Sequence, residues 1–159
     1  MARRKYQPPR WSAAALLVNA AGRYLMQHRD DFAWINYPDY WGSFGGAVEH
    51  GERPADALRR ELREEIGYEA RAITAFTTLR LVMPYAVPRR ERIDYFVVPI
   101  READLPGLVL GEGRAFGLFT PEKLVQEPKV APWDLCAILM HARADALFVA
   151  PAPRPPARI

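Results

Sequence analysis

The chain carries a single cysteine, Cys136, among 159 residues, which excludes an internal disulfide and fits a reducing compartment. Set on an apolar helical pattern, that cysteine reads as core rather than as a nucleophile. Histidine is scarce as well: His28, His50 and His141 lack metal-ligand spacing, so all three read as packing or surface residues. No apolar run approaches a membrane span, and Ala13 to Val18 is too short and too poorly followed for a signal peptide. A cytoplasmic protein is therefore expected. Internal repeats and a second domain are also missing.

What is present suits one globular domain: half of the residues are hydrophobic and 26% charged, enough to build one sizeable core. The net charge is +3, with a pI near 9.2, and nearly all the base is arginine. Part of that charge lies in the terminal segments and no aromatic-basic RNA motif is visible, which argues against nucleic acid as the main partner. The organisation reads as a basic, proline-containing arm over 1–11, one domain over 12–149, and a tail over 150–159. The tail, APAPRPPARI, can neither form a helix nor build a core, so it is expected to be flexible. Strands are expected near Ser12 to Val18, Tyr24 to His28, Trp41 to Phe44, Ala70 to Val82, Arg92 to Ile100 and Ala115 to Phe119. A short helix opens at Thr120-Pro121 and a longer one runs from about Trp133 to Phe148.

The densest information lies between Gly46 and Gly67, GAVEHGERPADALRRELREEIG. From Pro54 to Ile66 the pattern is helical, with proline suited to the first turn and Gly67 placed for a left-handed cap. At about 100° per residue, Ala55, Leu58, Leu62 and Ile66 form one apolar stripe, expected to pack on a sheet. Glu61, Glu64 and Glu65 project beside it, while Asp56, Arg59 and Arg63 take the solvated side. An ordinary charged face, with Arg60 paired to Glu64, has two costs. Glu61 and Glu65 repel at i,i+4 by roughly 0.2–0.5 kcal/mol, and all three acids sit toward the C-terminus, where the helix dipole prefers cations. A bound hard cation such as Mg²⁺ reverses both penalties.

The segment resembles the Nudix box, G-x5-E-x7-R-E-U-x-E-E-x-G-U with U a bulky aliphatic residue. Gly46, Glu52, Arg60, Glu61, Leu62, Glu64, Glu65 and Gly67 match; Tyr68 departs, being aromatic. The resemblance implies an α/β fold, an α/β/α sandwich with a mixed sheet in which the box forms a loop-helix-loop. It also implies a pyrophosphohydrolase that uses Mg²⁺ or Mn²⁺ to split a nucleoside diphosphate linked to another group. By the same resemblance Glu64 and Glu65 are main metal ligands, Glu61 is a ligand or the general base, and Glu52 supports metal-bound water. Arg60 orients a catalytic glutamate, and the carbonyl of Gly45 is a further ligand. The complete acid set implies attack at phosphorus, and the late position of Cys136 sets aside the isoprenoid diphosphate isomerases.

Outside the box the readings are less specific. Glu112-Gly113 resembles the late acidic turn that reaches the metal cluster in some relatives, or is a plain turn. Arg29, at the end of a strand, is a phosphate contact or an exposed arginine. Trp34, Tyr37 and Tyr40 lie in a polar-aromatic loop and are candidates for stacking a base or for a dimer contact; Trp41 reads as core. Arg89 and Arg90, in the loop over 83–92, are a second candidate substrate contact or a solvated hairpin tip. Phe44-Gly45-Gly46 replaces the Pro-Gly-Gly of many relatives. The substrate expected first is a (d)NTP or oxidised dNTP, then a nucleoside diphosphate sugar; a nucleotide- or RNA-binding module without turnover is the rival from another class. A homodimer is left open.

Overall fold

The computed structural model describes residues 7–83 and 88–144; the expected tail and the tip of the 83–92 loop lie outside them. The element order is β1 (Gln7–Val18), β2 (Tyr24–His28), β3 (Trp41–Gly42), β4 (Gly45–Ala47), α1 (Pro54–Ile66), β5 (Thr74–Met83), β6 (Arg89–Pro99), β7 (Ala115–Phe119), α2 (Pro121–Gln126) and α3 (Pro132–Ala142), with a short 3₁₀ turn over Glu102–Gly107. β1 and β6 run parallel while the other pairs are antiparallel, which makes the sheet mixed. Its order is β3-β2-β1-β6-β5, with β4 added to β1 and β7 to β2.

Alternation along β1 builds two cores. Ala13, Ala15 and Leu17 face α1 with Leu58, Leu62 and Ile66, whereas Ala14 and Leu16 face the α3 side with Tyr95, Leu124 and Ile138. This is the α/β/α sandwich. Small alanines at consecutive positions let both helical layers approach the central strand closely. Among the described residues no helix is long and apolar enough to cross a membrane.

Several boundaries move for physical reasons. β1 starts at Gln7 rather than Ser12, because parallel pairing with β6 continues to Arg89. The expected strand from Trp41 to Phe44 divides in two: β3 pairs with β2, then the chain breaks at Ser43-Phe44 and β4 pairs with β1. The break is fixed by Phe44, which is fully buried and whose carbonyl accepts from Ala15 N at 2.9 Å. β5 starts at Thr74, later than Ala70. Arg89 and Arg90 belong to strand β6, not to a loop. Cys136 is exposed on α3, not core.

α1 ends where the glycine dictates. Gly67 takes φ 65°, and its N–H and that of Tyr68 reach back to Arg63 O and Leu62 O, a Schellman closure. The buried seam of α1 is Ala57, Leu58, Leu62, Glu65 and Ile66. A carboxylate thus occupies a core-facing position, three residues after Leu62.

Candidate active site

Two cavities adjoin at β4. The first, about 330 Å³, opens beside α1 and is lined by Glu61, Glu65 and Glu112, by Gln27, Arg29 and Asp30 at the end of β2, and by Arg10 and Gly45 to Ala47. The second, about 110 Å³, lies on the α3 side between Ser12, Asn36, Ser43, Glu91, Trp133 and Asp134. Both are lined by Arg10, Arg29, Gly45 and Gly46.

Glu65 is the buried acid of the first cavity, 5% exposed. Burial pushes its pKa up to about 8; the Gly45 N–H, donating to its Oε2 at 2.8 Å, opposes that, and the Glu61 and Glu112 carboxylates add to it. The glycines make the approach possible. A side chain on Gly45, at φ 135°, would collide with the Ala13 carbonyl, and one on Gly46 would enter the space of the Glu61 carboxyl.

Arg60 organises the remaining acids. Its Nε and Nη2 clasp Glu52 at 3.2 and 3.1 Å, Nη1 reaches Glu61 at 2.8 Å and Glu64 at 3.4 Å, and Nη2 also meets the Ala47 carbonyl at 3.0 Å. Hydrogen bonds to Glu52 and Glu61 raise its pKa, and the same fork holds Glu52 below the usual carboxylate range, helped by the Glu49 N–H. Glu64 lies on this guanidinium rather than in the cavity, with its side chain 57% exposed. Glu112 is delivered by a stitched loop. Gly111 N donates to Glu65 O at 2.7 Å, Gly113 N to Asp30 Oδ2 at 3.0 Å, and Gln27 Nε2 to the Glu112 carbonyl at 3.0 Å.

Among the described residues no three acidic, histidine or cysteine side chains form a ready-made metal cage. The donor chemistry nevertheless fits a hard divalent cation: oxygen ligands only, a carboxylate held out of water, and like charges beside it that such an ion would neutralise.

The aromatic loop is only partly placed at the site. Trp34 is 80% exposed and stacks on Phe32 at 4.7 Å; Tyr37 meets Tyr40 and Trp133 edge-on at 5.1 and 4.7 Å. None of Trp34, Tyr37 and Tyr40 lines either cavity, but Ile35 and Asn36 from the same loop do. Trp41 packs against His28 and Phe119, as a core ring should. Arg89 bonds Glu91 at 2.6 Å, and Arg90 lies by the exposed surface around Trp11 and Val82, so neither lines the acidic cavity.

Sequence reasoning missed Arg10, placed in the arm, and the second cavity. Asp134 there is buried, which raises its pKa, and accepts from Tyr95 Oη at 2.7 Å and Ser43 N at 2.9 Å. The Pro-Trp-Asp opening of α3 reads only as a helix start; nothing local tells where that turn docks.

A sequence profile described as NUDIX domain matches residues 8–139. The nucleoside triphosphatase NudI of Escherichia coli O139:H28 is 33% identical over 116 residues, covering 69% of this chain and 81% of that protein. Among solved structures, the MutT protein of Methanosarcina mazei Go1 superposes with a TM-score of 0.74 at 19% identity, covering 87% of this chain and 96% of that one. The E. coli ORF135 protein gives 0.70 at 26% identity, covering 91% and 96%. With that profile spanning most of the domain over an acid-lined cleft, the chain belongs to the Nudix family and is a Nudix pyrophosphohydrolase.

Proposed function

We propose that the protein hydrolyses a nucleoside triphosphate, canonical or oxidised, in a reaction that requires Mg²⁺ or Mn²⁺. One observation carries this reading: the carboxylates of Glu61, Glu65 and Glu112 line a cavity that shares Arg29 and the Gly45-Gly46 backbone with a second one lined by Trp133 and Asp134. Phosphates suit the first, and a flat ring with polar edges suits the second. The kinship with a nucleoside triphosphatase at 33% identity supports a triphosphate over a diphosphate sugar.

Glu65, Glu61 and Glu112 would hold the cation, with the Gly45 carbonyl, and with Glu64 once it leaves Arg60. When bound, such an ion neutralises phosphate oxygens and lowers the pKa of a bound water. The chain's own groups do the rest. Arg60 holds Glu52 below the usual carboxylate range and aims both Glu52 and Glu61, so that either can accept a proton from an attacking water. Arg29, whose Nε is steadied by the Asn36 carbonyl at 3.2 Å, offers its remaining donors to phosphate oxygens. Trp133 and the Asp134–Tyr95–Ser43 group shape the pocket for the base.

The test is phosphate and pyrophosphate release from dNTPs, 8-oxo-dGTP, nucleotide sugars, ADP-ribose and dinucleoside polyphosphates, with and without Mg²⁺ or Mn²⁺. Metal-dependent turnover of triphosphates is expected, and Glu64→Gln should remove most of it with the fold intact. Preference for nucleotide sugars, or wild-type turnover in that mutant, would sink the substrate or the ligand assignment respectively.

A further inference from the structure

Among the described residues, Arg10 is the one guanidinium besides Arg29 that lines both cavities. Resting on the nucleotide reading above, we propose that Arg10 is a substrate-binding residue that grips, together with Arg29, the phosphate adjoining the nucleoside.

Position is the first reason. If the base enters the cavity beside Trp133 and the outer phosphates meet the carboxylates, the portion of substrate passing between is the sugar and its first phosphate. Residues common to both cavities stand at that passage. Charge is the second. Glu61, Glu65 and Glu112 all line the first cavity, so phosphate oxygens turned away from the acids and their cation need a cationic donor, and a planar guanidinium matches two of them at once.

Availability is the third. The strand register sets Arg10 against Glu91 of β6, but Glu91 takes a bond from Arg89 at 2.6 Å. The Arg10 side chain makes no hydrogen bond or ion pair among the described residues. Its backbone belongs to the paired sheet, which fixes where the side chain starts. A solvated arginine at the start of a strand would share the exposure, but would leave substrate binding untouched when removed.

Arg10→Ala, Arg10→Lys and a control of equal charge change, Arg80→Ala, are compared with wild type on a dNTP that the wild type turns over with Mg²⁺. For Arg10→Ala the KM should rise about ten- to a hundredfold while kcat stays within about threefold, the loss expected for one charge-assisted contact. Inhibition by the product dNMP should weaken by a similar factor and inhibition by inorganic pyrophosphate should not. Mn²⁺ affinity without nucleotide, read by electron paramagnetic resonance, should be unchanged in all variants. Arg10→Lys should recover part of the affinity, and Arg80→Ala should match wild type. An unchanged KM and dNMP inhibition in Arg10→Ala, or a loss matched by Arg80→Ala, overturns the Arg10 assignment alone; a wild type that turns over no nucleotide removes the nucleotide reading and this assignment with it.

Discussion

Gly46 shows how one missing side chain can decide whether a carboxylate reaches its place. The backbone of β4 runs so close to α1 that a methyl group on Gly46 would occupy the volume of the Glu61 carboxyl. Glu61 would then have to leave Arg60 Nη1, now 2.8 Å away, and the cavity it lines. Gly46→Ala should therefore lower kcat by about two orders of magnitude, in keeping with the cost of misplacing a reacting group by about 1 Å. Because β4 keeps its pairing with Ala13, stability should fall by only about 1 kcal/mol. Steady-state kinetics beside a urea titration check both; wild-type kcat would mean that Glu61 has no catalytic part. The glycine itself was legible as a box position, but its reason was not, since the colliding residue is fifteen positions away on another element.

At the scale of the element, α1 carries a built-in conflict between its core and its chemistry. Glu65 faces inward with Leu58, Leu62 and Ile66, and burial, opposed by the Gly45 N–H and reinforced by Glu61 and Glu112, takes its pKa to about 8. The ordinary glutamate value near 4.5 applies to the unfolded chain, so between the two values the native state holds more protons than the unfolded one. Stability falls with pH under that condition. The contribution is complete below the unfolded pKa and is lost as pH rises through about 8. In EDTA, the Tm should drop between pH 5 and pH 9, and Glu65→Gln should flatten that slope. Added Mn²⁺ or Mg²⁺ should raise the Tm most at the alkaline end, where the carboxylate is free to bind it. A Tm in EDTA that rises with pH across this window, with no change in slope for Glu65→Gln, would contradict the burial argument. The helix was readable from sequence because its limits are local: proline at the first turn and glycine at the left-handed cap. That Glu65 is buried while Glu64 stays half out was not drawn from the sequence, which grouped the two beside the apolar stripe, although at about 100° per residue Glu65 falls next to Leu58 and Glu64 well round the helix. β4, through the Gly45 N–H, and the loop held by Gly111 close over the Glu65 side.

On the scale of the molecule, the two helical layers border the two cavities from opposite sides of the sheet, and Asp134 ties the second layer to β4. It sits in the first turn of α3, receives the Tyr95 hydroxyl from β6 at 2.7 Å, and receives Ser43 N at 2.9 Å from the break between β3 and β4. Ser43 is two residues from Gly45, whose N–H holds Glu65. The succession of strands along the chain was legible from sequence pattern and the sandwich from the resemblance of the box, whereas this link joins residues 39 and 91 apart and has no local pattern to announce it. Asp134→Asn keeps the shape but replaces one accepting oxygen with an amide that donates, leaving either the Tyr95 hydroxyl proton or the Ser43 N–H without its acceptor in a buried place. That should cost about 1–3 kcal/mol of stability. Because the break it anchors leads directly into β4, catalysis should suffer beyond what unfolding explains. At a temperature where wild type and mutant are both folded, nucleotide KM should rise, while the far-UV spectrum stays native. Tyr95→Phe, which removes the hydroxyl and leaves Asp134 its bond to Ser43 N, should lose stability with a smaller change in KM. Equal kinetic effects from the two substitutions would show that Asp134 supports only the core, with no influence on the β4 side of the acid-lined cavity.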